Sequence, residues 1–134
     1  MLWGGLGVTA GAHRLWTHRS YKATLPMRIF LMIGQSISGQ YSIYGWATGH
    51  RTHHKFADTD ADPHNVKRGF CFAHVGWIIQ KEHPLCAIKS KGLNGSDLID
   101  DFIVRWQHRF YEFWLVLIGT VLPTLIPCIF KGSR

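Results

Sequence analysis

The segment His50-Arg51-Thr52-His53-His54 places three imidazole side chains within five residues. Residues three and four apart share one face of an α-helix, so the three rings can point toward one site. Neutral imidazole is the commonest metal ligand among protein side chains. The segment therefore predicts a helix that carries a metal site on one face.

A second histidine pair, His13 and His18, lies upstream in a stretch that reads HRLWTH. Residues five apart are about 140° apart around an ideal α-helix, so both rings reach one ion only where the helix ends or bends. We therefore expect His13 in a final helical turn and His18 just beyond it. Either cluster alone is compatible with ordinary surface histidines. Two clusters, each flanked by apolar stretches, favour a metal site built from both.

Length and composition fit one modest domain over residues 1–134. Hydrophobic residues make up 46% of the chain, and the formal net charge is +7. Cys71, Cys86 and Cys128 are far apart and form no Cys-x-x-Cys pair, which argues against a disulfide framework or a thiolate zinc site.

The basic residues near the histidine clusters are scattered and form no dense tract, and no nucleic-acid-binding motif is present, so we expect no nucleic-acid partner. Basic residues just outside apolar segments are typical of the cytoplasmic side of a membrane. The residues concerned are Arg14, Arg19, Arg51, Lys55, Lys67 and Arg68.

Two segments at the start of the chain have helical patterns. Residues 1–12 are uncharged and rich in Gly and Ala, which predicts either the last turns of a membrane helix or a flexible leader. Pro26 is placed to begin the next helix, which is too polar for a confident span, so we interpret it as an interfacial or core helix. Its expected apolar stripe is Phe30, Ile33, Ile37, Tyr41 and Tyr44.

Three further segments follow the second histidine cluster. Asp58-Thr59-Asp60-Ala61-Asp62 lacks the glycine and glutamate of a calcium loop, so its carboxylates either orient metal-bound imidazoles or form a capped turn. Ser96 is the expected N-cap of a helix through residues 97–110. Residues 113–130 contain no charge, and as a helix they extend about 27 Å, close to the roughly 30 Å of a hydrocarbon core.

The motifs of this chain resemble those of one enzyme family. The stretches GVTAGAHRLWTH (residues 7–18), HRTHHK (50–55), DADPHN (60–65) and RGF (68–70) are similar to those of the animal membrane acyl-CoA desaturases of the stearoyl-CoA (delta-9) type. This resemblance implies an all-α fold in which membrane helices support a cytosolic helical cap that carries the histidine boxes. It also implies an O2-dependent oxidoreductase in the endoplasmic reticulum membrane, with its histidine boxes facing the cytosol.

The resemblance also implies cofactors, partners and site residues. The enzyme would contain two iron ions and insert a cis double bond into a saturated fatty acyl-CoA, with cytochrome b5 as electron donor. His13, His18, His50 and His54 would bind one iron, and His53 would begin the site of the other. The family's third histidine box belongs beyond residue 134, so residues 1–134 correspond to a partial domain with at most one well-liganded metal.

Several positions depart from the family pattern. The family has Trp-Ala-Arg-Asp where this chain has Trp46-Ala47-Thr48-Gly49, and a basic pair where this chain has Lys81-Glu82. An expected Asn is Tyr41. These positions surround the acyl-CoA headgroup and thioester in the family, which makes Trp46 and Lys81 the candidate substrate residues. The alternative is a non-catalytic membrane protein that retains a metal half-site and associates with an intact desaturase.

Overall fold

The computed structural model describes residues 2–131, and every regular element within that range is helical, as the sequence predicted. Met1 and residues 132–134 lie outside the described residues. The elements are α1 (Leu2–Leu6, continuing as Gly7–Thr17), α2 (Leu25–Ser38), α3 (Ile43–Phe56), a 3-10 turn (Val66–Arg68), α4 (Phe72–Gly76, continuing as Trp77–Ile79), α5 (Pro84–Lys91), α6 (Ser96–Asp100), α7 (Phe102–Arg109) and α8 (Tyr111–Val116, Leu117–Val121 and Leu122–Lys131).

Glycines bring α1 and α2 into close contact. A Cβ atom on Gly7 would lie only 2.1 Å from the backbone nitrogen of Gln35, so no larger residue fits there without moving one helix. The indole Nε1 of Trp3 donates a hydrogen bond to the carbonyl of Phe30 at 3.0 Å, and the two rings stack. The expected use of small residues for close packing is confirmed at this contact.

The hydrophobic core joins the last turns of α1 to α2, α3, α6 and α7. Gln107 is fully buried within it, and its Oε1 accepts a hydrogen bond from the backbone N–H of Ile43 at 3.0 Å. Its Nε2 donates to Ser36 Oγ at 3.2 Å, so one side chain ties α7 to both α2 and the start of α3. The buried apolar residues are Leu15, Trp16, Leu31, Met32, Ile43, Ala47, Leu98, Ile103 and Val104.

The helix predicted at Pro26 is confirmed as α2, with proline at its second position, but it ends before the last two members of the predicted apolar stripe, Tyr41 and Tyr44. Phe30 is 41% exposed, and Tyr41 lies beyond the end of the helix. The buried face instead includes Gln35 and Ser36. Gln35 Nε2 donates to the carbonyls of residues 40 and 41, so its burial does not cost an unpaired N–H.

One helix was expected through residues 97–110, and the structure divides it in two. Gly95, and not Ser96, precedes the first helical turn of α6. The chain then leaves helical geometry at Asp101, whose carboxylate caps α7 by accepting from the backbone N–H groups of Ile103 and Val104. Asp101 thus supplies the side-chain cap that the sequence assigned to Ser96.

Helix α8 is long and apolar enough to cross a membrane between Tyr111 and Phe130. No part of this 20-residue stretch is buried within the described fold, so its apolar side chains are available to lipid. The span predicted from the uncharged residues 113–130 is confirmed by length and composition.

Candidate metal centre

Four histidines from α1 and α3 converge on one point. The ligand nitrogens of His13, His18, His50 and His54 all lie within 4.8 Å of one another. His13 and His18 come from the end of α1, and the other two come from the last turns of α3. The two sequence clusters are therefore brought together as predicted.

The winding of α1 explains how His13 and His18 share a face. Residues Gly7–Thr17 form a π-helix, in which each N–H donates to the carbonyl five residues earlier. The N–H of His18 accordingly donates to the carbonyl of His13 at 3.0 Å, and His18 caps the helix as expected. A wider turn brings residues five apart close to one another, so the pair aligns without the bend that an α-helix would require.

Helix α3 presents the second pair at ordinary α-helical spacing. Ser42 caps its first turn by accepting from the N–H of Gly45 at 3.1 Å. His50 and His54 lie one turn apart, with 3.0 Å between their Nε2 atoms. Trp46 stacks on His50 at a centroid distance of 4.7 Å and so restricts the orientation of that ring. The predicted box helix is confirmed.

The donor set fits a divalent metal ion. The Nε2 atoms of His50 and His54 are 3.0 Å apart, close enough for both to bind one ion at the usual metal–nitrogen distance of ~2.1 Å. Burial, followed by the neighbouring histidines, lowers the pKa of His50 to about 4. The ring is therefore neutral at pH 7, the form that binds a metal. Imidazole donors suit iron and zinc alike.

His53 lies outside the four-histidine group and has its own partner. Its Nδ1 is 2.8 Å from Oδ1 of Asp62, a carboxylate with no exposed side-chain surface. Burial raises the pKa of Asp62, but hydrogen bonds from His53 and from the backbone N–H groups of His64 and Asp58 outweigh it and lower that pKa overall. The Asp62 carboxylate therefore orients the His53 imidazole and also closes a turn. The sequence had offered these two roles as alternatives.

A cavity of about 970 Å³ lies beside His50. Both candidate substrate residues, Trp46 and Lys81, are on its wall, together with Arg68 and Glu82. Its aromatic lining continues through Tyr41, Phe72 and Trp77. An apolar cleft with a few charged groups at its edge is the usual form of a small-molecule site.

Two isolated histidines have local contacts away from this group, in keeping with the structural role that the sequence assigned to them. His74 stacks on Phe70 with an interplanar angle of 8°. His83 caps α5, because its Nδ1 accepts from the backbone N–H of Leu85 at 3.3 Å. The three cysteines are free thiols, also as predicted.

Sequence reasoning missed the ion pair that borders the histidines. Arg51 was counted among scattered basic residues and Asp97 as part of an acidic helix start, yet their side chains form two hydrogen bonds, at 2.8 and 2.6 Å. The signal that could have identified Arg51 is its place between the metal-binding positions of the box. Its partner, 46 residues away, could not be recognised from spacing.

Known proteins similar to this chain are desaturases. Stearoyl-CoA desaturase of Bos taurus is 53% identical over 128 residues, which are 94% of this chain and 35% of that protein. Stearoyl-CoA desaturase of Homo sapiens is 51% identical over 141 residues, covering 98% of this chain and 39% of the relative. Acyl-CoA desaturase of Cyprinus carpio is 51% identical over 133 residues, covering 99% of this chain and 41% of that protein. The chain thus spans well under half the length of these relatives. No protein-family profile matches it.

Proposed function

Because this chain is a homologue of the stearoyl-CoA desaturases over nearly its whole length, we propose that it forms the first metal centre of a membrane acyl-CoA desaturase. The observation that carries the proposal is the convergence of His13, His18, His50 and His54 within 4.8 Å. These four imidazoles would hold one iron ion. A second iron would use His53, whose Nε2 is left for a metal because Nδ1 is hydrogen-bonded to Asp62.

The bound metals would supply the O2-dependent oxidation that removes hydrogen from an unactivated methylene. The chain's own residues have other tasks. Trp46 holds the His50 ring by stacking and forms a wall of the adjoining cavity, which would take the acyl-CoA substrate. Lys81 and Arg68 at the cavity wall offer positive charge to the anionic part of that substrate.

Helix α8 supports a membrane setting. Its exposed apolar stretch Tyr111–Phe130 would anchor the protein in the endoplasmic reticulum membrane, with the histidines on the cytosolic side. Cytochrome b5 on the same side would donate electrons. A double bond at the delta-9 position is the outcome that the similarity to stearoyl-CoA desaturases favours.

The second candidate function is a non-catalytic membrane protein that binds one metal and associates with an intact desaturase. The observation in its favour is the composition of the cavity wall. Tyr41, Gly49 and Glu82, three departures from the family motif, all lie on it. Glu82 places a negative charge next to Lys81, which weakens the attraction for an anionic headgroup.

A chimera separates the two functions. Residues 1–134 would replace the homologous segment of the bovine stearoyl-CoA desaturase, and the chimera would be expressed in desaturase-deficient yeast, with fatty acids measured by gas chromatography. We expect unsaturated product from the chimera and none after His50→Ala. The non-catalytic function would be supported by a chimera that binds metal and gives no product. Such a chimera should regain activity when the family residues are restored by Tyr41→Asn, Gly49→Asp and Glu82→Lys.

A further inference from the structure

The four histidines come from α1 and α3, so the geometry of the site depends on the contacts that set the distance between these two helices at the level of the imidazole rings. The described contacts place one charged cluster at that level, formed by Arg51 of α3, Asp97 of α6 and Arg19, which follows α1. None of the three side chains is a metal-ligand candidate. Arg19 follows His18 and Arg51 follows His50 in the chain, and Asp97 pairs with both arginines, so this cluster is a candidate for holding the rings in place.

Arg51 joins α3 to the end of α1. Its Nη2 donates to the carbonyl of Trp16 at 2.9 Å, and its Nε donates to the carbonyl of Thr17 at 3.4 Å. These carbonyls belong to the two residues that precede His18. The C-terminal carbonyls of a helix have no partner within the helix and carry partial negative charge, so a guanidinium group is well suited to them.

Asp97 fixes Arg51 in this position. Its Oδ1 and Oδ2 accept from Nη1 and Nη2 of Arg51 at 2.8 and 2.6 Å, a two-point contact that leaves the guanidinium little freedom to rotate. The Arg51 and Asp97 side chains are only 20% and 18% exposed, so solvent screens the pair less than it screens a surface pair.

The Asp97 carboxylate also pairs with Arg19, the residue that follows His18 in the chain. Arg19 adopts a left-handed backbone conformation with φ of 52°, which ends α1 immediately after His18. Its Nη2 lies 2.7 Å from Asp97 Oδ2. The residues on both sides of His18 are therefore attached to the arginine that follows His50 in the chain, Thr17 directly and Arg19 through Asp97.

From this arrangement we propose that Arg51 and Asp97 are positioning residues of the metal centre, which set the His13 and His18 side of the site against the His50 and His54 side. The inference rests on the proposed metal centre. The two residues do not touch the metal. They reduce the freedom of the ligands before metal binds. Groups hydrogen-bonded directly to ligand side chains change metal affinity roughly 10–100-fold when they are removed, and we expect the lower end of that range here because Arg51 and Asp97 act on the residues beside the ligands.

The test uses Co(II) as the probe, since its visible spectrum reports ligand geometry, with the full chain in detergent. Arg51→Lys keeps the positive charge and loses the two-point contact, while Asp97→Asn keeps the shape and loses the charge. We expect each to weaken Co(II) affinity roughly 10-fold, the lower end of the range for partners of metal ligands, and to change the spectrum, at unaltered helix content. Asp97→Glu, which restores the carboxylate, should recover affinity and spectrum in part.

The matched control is Arg28→Gln. It removes an ion pair with Asp101 between α2 and α7 whose side chains are 29% and 17% exposed, similar to Arg51 and Asp97. Asp101 also accepts a hydrogen bond from the Trp16 indole at 3.0 Å, and this variant leaves that bond in place. This variant should bind Co(II) within twofold of wild type. If Arg51→Lys and Asp97→Asn also bind within twofold and keep the wild-type spectrum, the positioning role is wrong.

The inference can fail while the proposed function stands. In that case wild type binds Co(II), His50→Ala with His54→Ala does not, and the Arg51 and Asp97 variants match wild type. If wild type itself binds no Co(II), the metal centre and this inference are both wrong. If Asp97→Asn does not fold, Arg51→Lys decides between these outcomes.

Discussion

Asp62 Oδ1 accepts a hydrogen bond from Nδ1 of His53 at 2.8 Å, and the Asp62 side chain has no exposed surface. The same oxygen accepts from the backbone N–H of His64 at 2.8 Å, and Oδ2 accepts from the N–H of Asp58 at 2.9 Å. One carboxylate thus organises the turn after α3 and the imidazole proposed to serve a second iron.

Replacement of Asp62 should therefore destabilise this turn. Asp62→Ala leaves three donors without their acceptor. We expect a loss of about 2–5 kcal/mol in the free energy of unfolding, because a fully buried unpaired donor costs about 1–3 kcal/mol and these three hydrogen bonds are only partly buried. Denaturant unfolding in detergent, followed by circular dichroism, measures this. Asp60→Asn, at an exposed position two residues earlier, is the control. Equal stability of the Ala variant and the control would contradict the role of Asp62.

The four-histidine group should bind one metal ion per chain. We expect about one equivalent of Fe(II) or Zn(II) by elemental analysis, and loss of that metal in the variant with His50→Ala and His54→Ala, since two of the four donors are removed. The matched control is His74→Ala with His83→Ala, which removes two histidines with contacts elsewhere. Equal metal content in wild type and the first variant would exclude the site.

Acid should weaken the fold through Asp97. Hydrogen bonding from Arg51 is the main reason that the pKa of Asp97 is lowered from 3.8. A carboxylate with a lowered folded-state pKa contributes stability that is complete above its unfolded-state pKa and is lost as the pH falls through the folded-state pKa. We therefore expect the difference in melting temperature between wild type and Asp97→Asn to be largest above pH 4 and to shrink below it.

Metal-free protein at low ionic strength is the right sample for this comparison, because salt screens the ion pair. Asp60→Asn serves again as control, since it leaves the contact between Arg51 and Asp97 intact. A difference between wild type and Asp97→Asn that is the same at pH 7 and pH 3 would show that Asp97 does not act through its charge.

Helix α8 should hold the chain in membranes. We expect wild type to stay in the pellet after carbonate extraction, and Val121→Arg with Leu125→Arg to shift a large part of it to the supernatant. Each arginine near the centre of a span costs about 2.5–3.5 kcal/mol on insertion scales, and both side chains are exposed on the helix surface, at 36% and 51%. Glu112→Arg, at the end of the span, is the control. Pelleting of all three forms alike would refute α8 as the anchor.

The 134 residues by themselves should not desaturate acyl-CoA. Four of the five candidate ligands belong to one group, and His53 alone cannot hold a second iron against water. Expression in desaturase-deficient yeast, with gas chromatography of the fatty acids, should show no unsaturated product from this chain, whereas the chimera described above produces it. Product from the short chain would mean that a second iron is assembled in another way, for example by two chains together.

The sequence was a good guide to local features and a poor guide to distant pairings. The box helix, the helix at Pro26 and the apolar span each follow from spacing or composition within a short window. The buried face of α2 does not, because Gln35 and Ser36 are buried through partners that lie elsewhere in the fold. For the same reason the pairing of Arg51 with Asp97 could not be foreseen: its two halves belong to different helices.

The π-helical winding of Gly7–Thr17 gives the five-residue interval between His13 and His18 a diagnostic meaning. Searches for metal-binding helices usually look for intervals of three or four residues, and such a search would pass over this pair. A histidine pair at an interval of five, followed later by a pair at an interval of four, therefore fits a π-helix packed against an α-helix, besides the helix end or bend that ordinary winding would require.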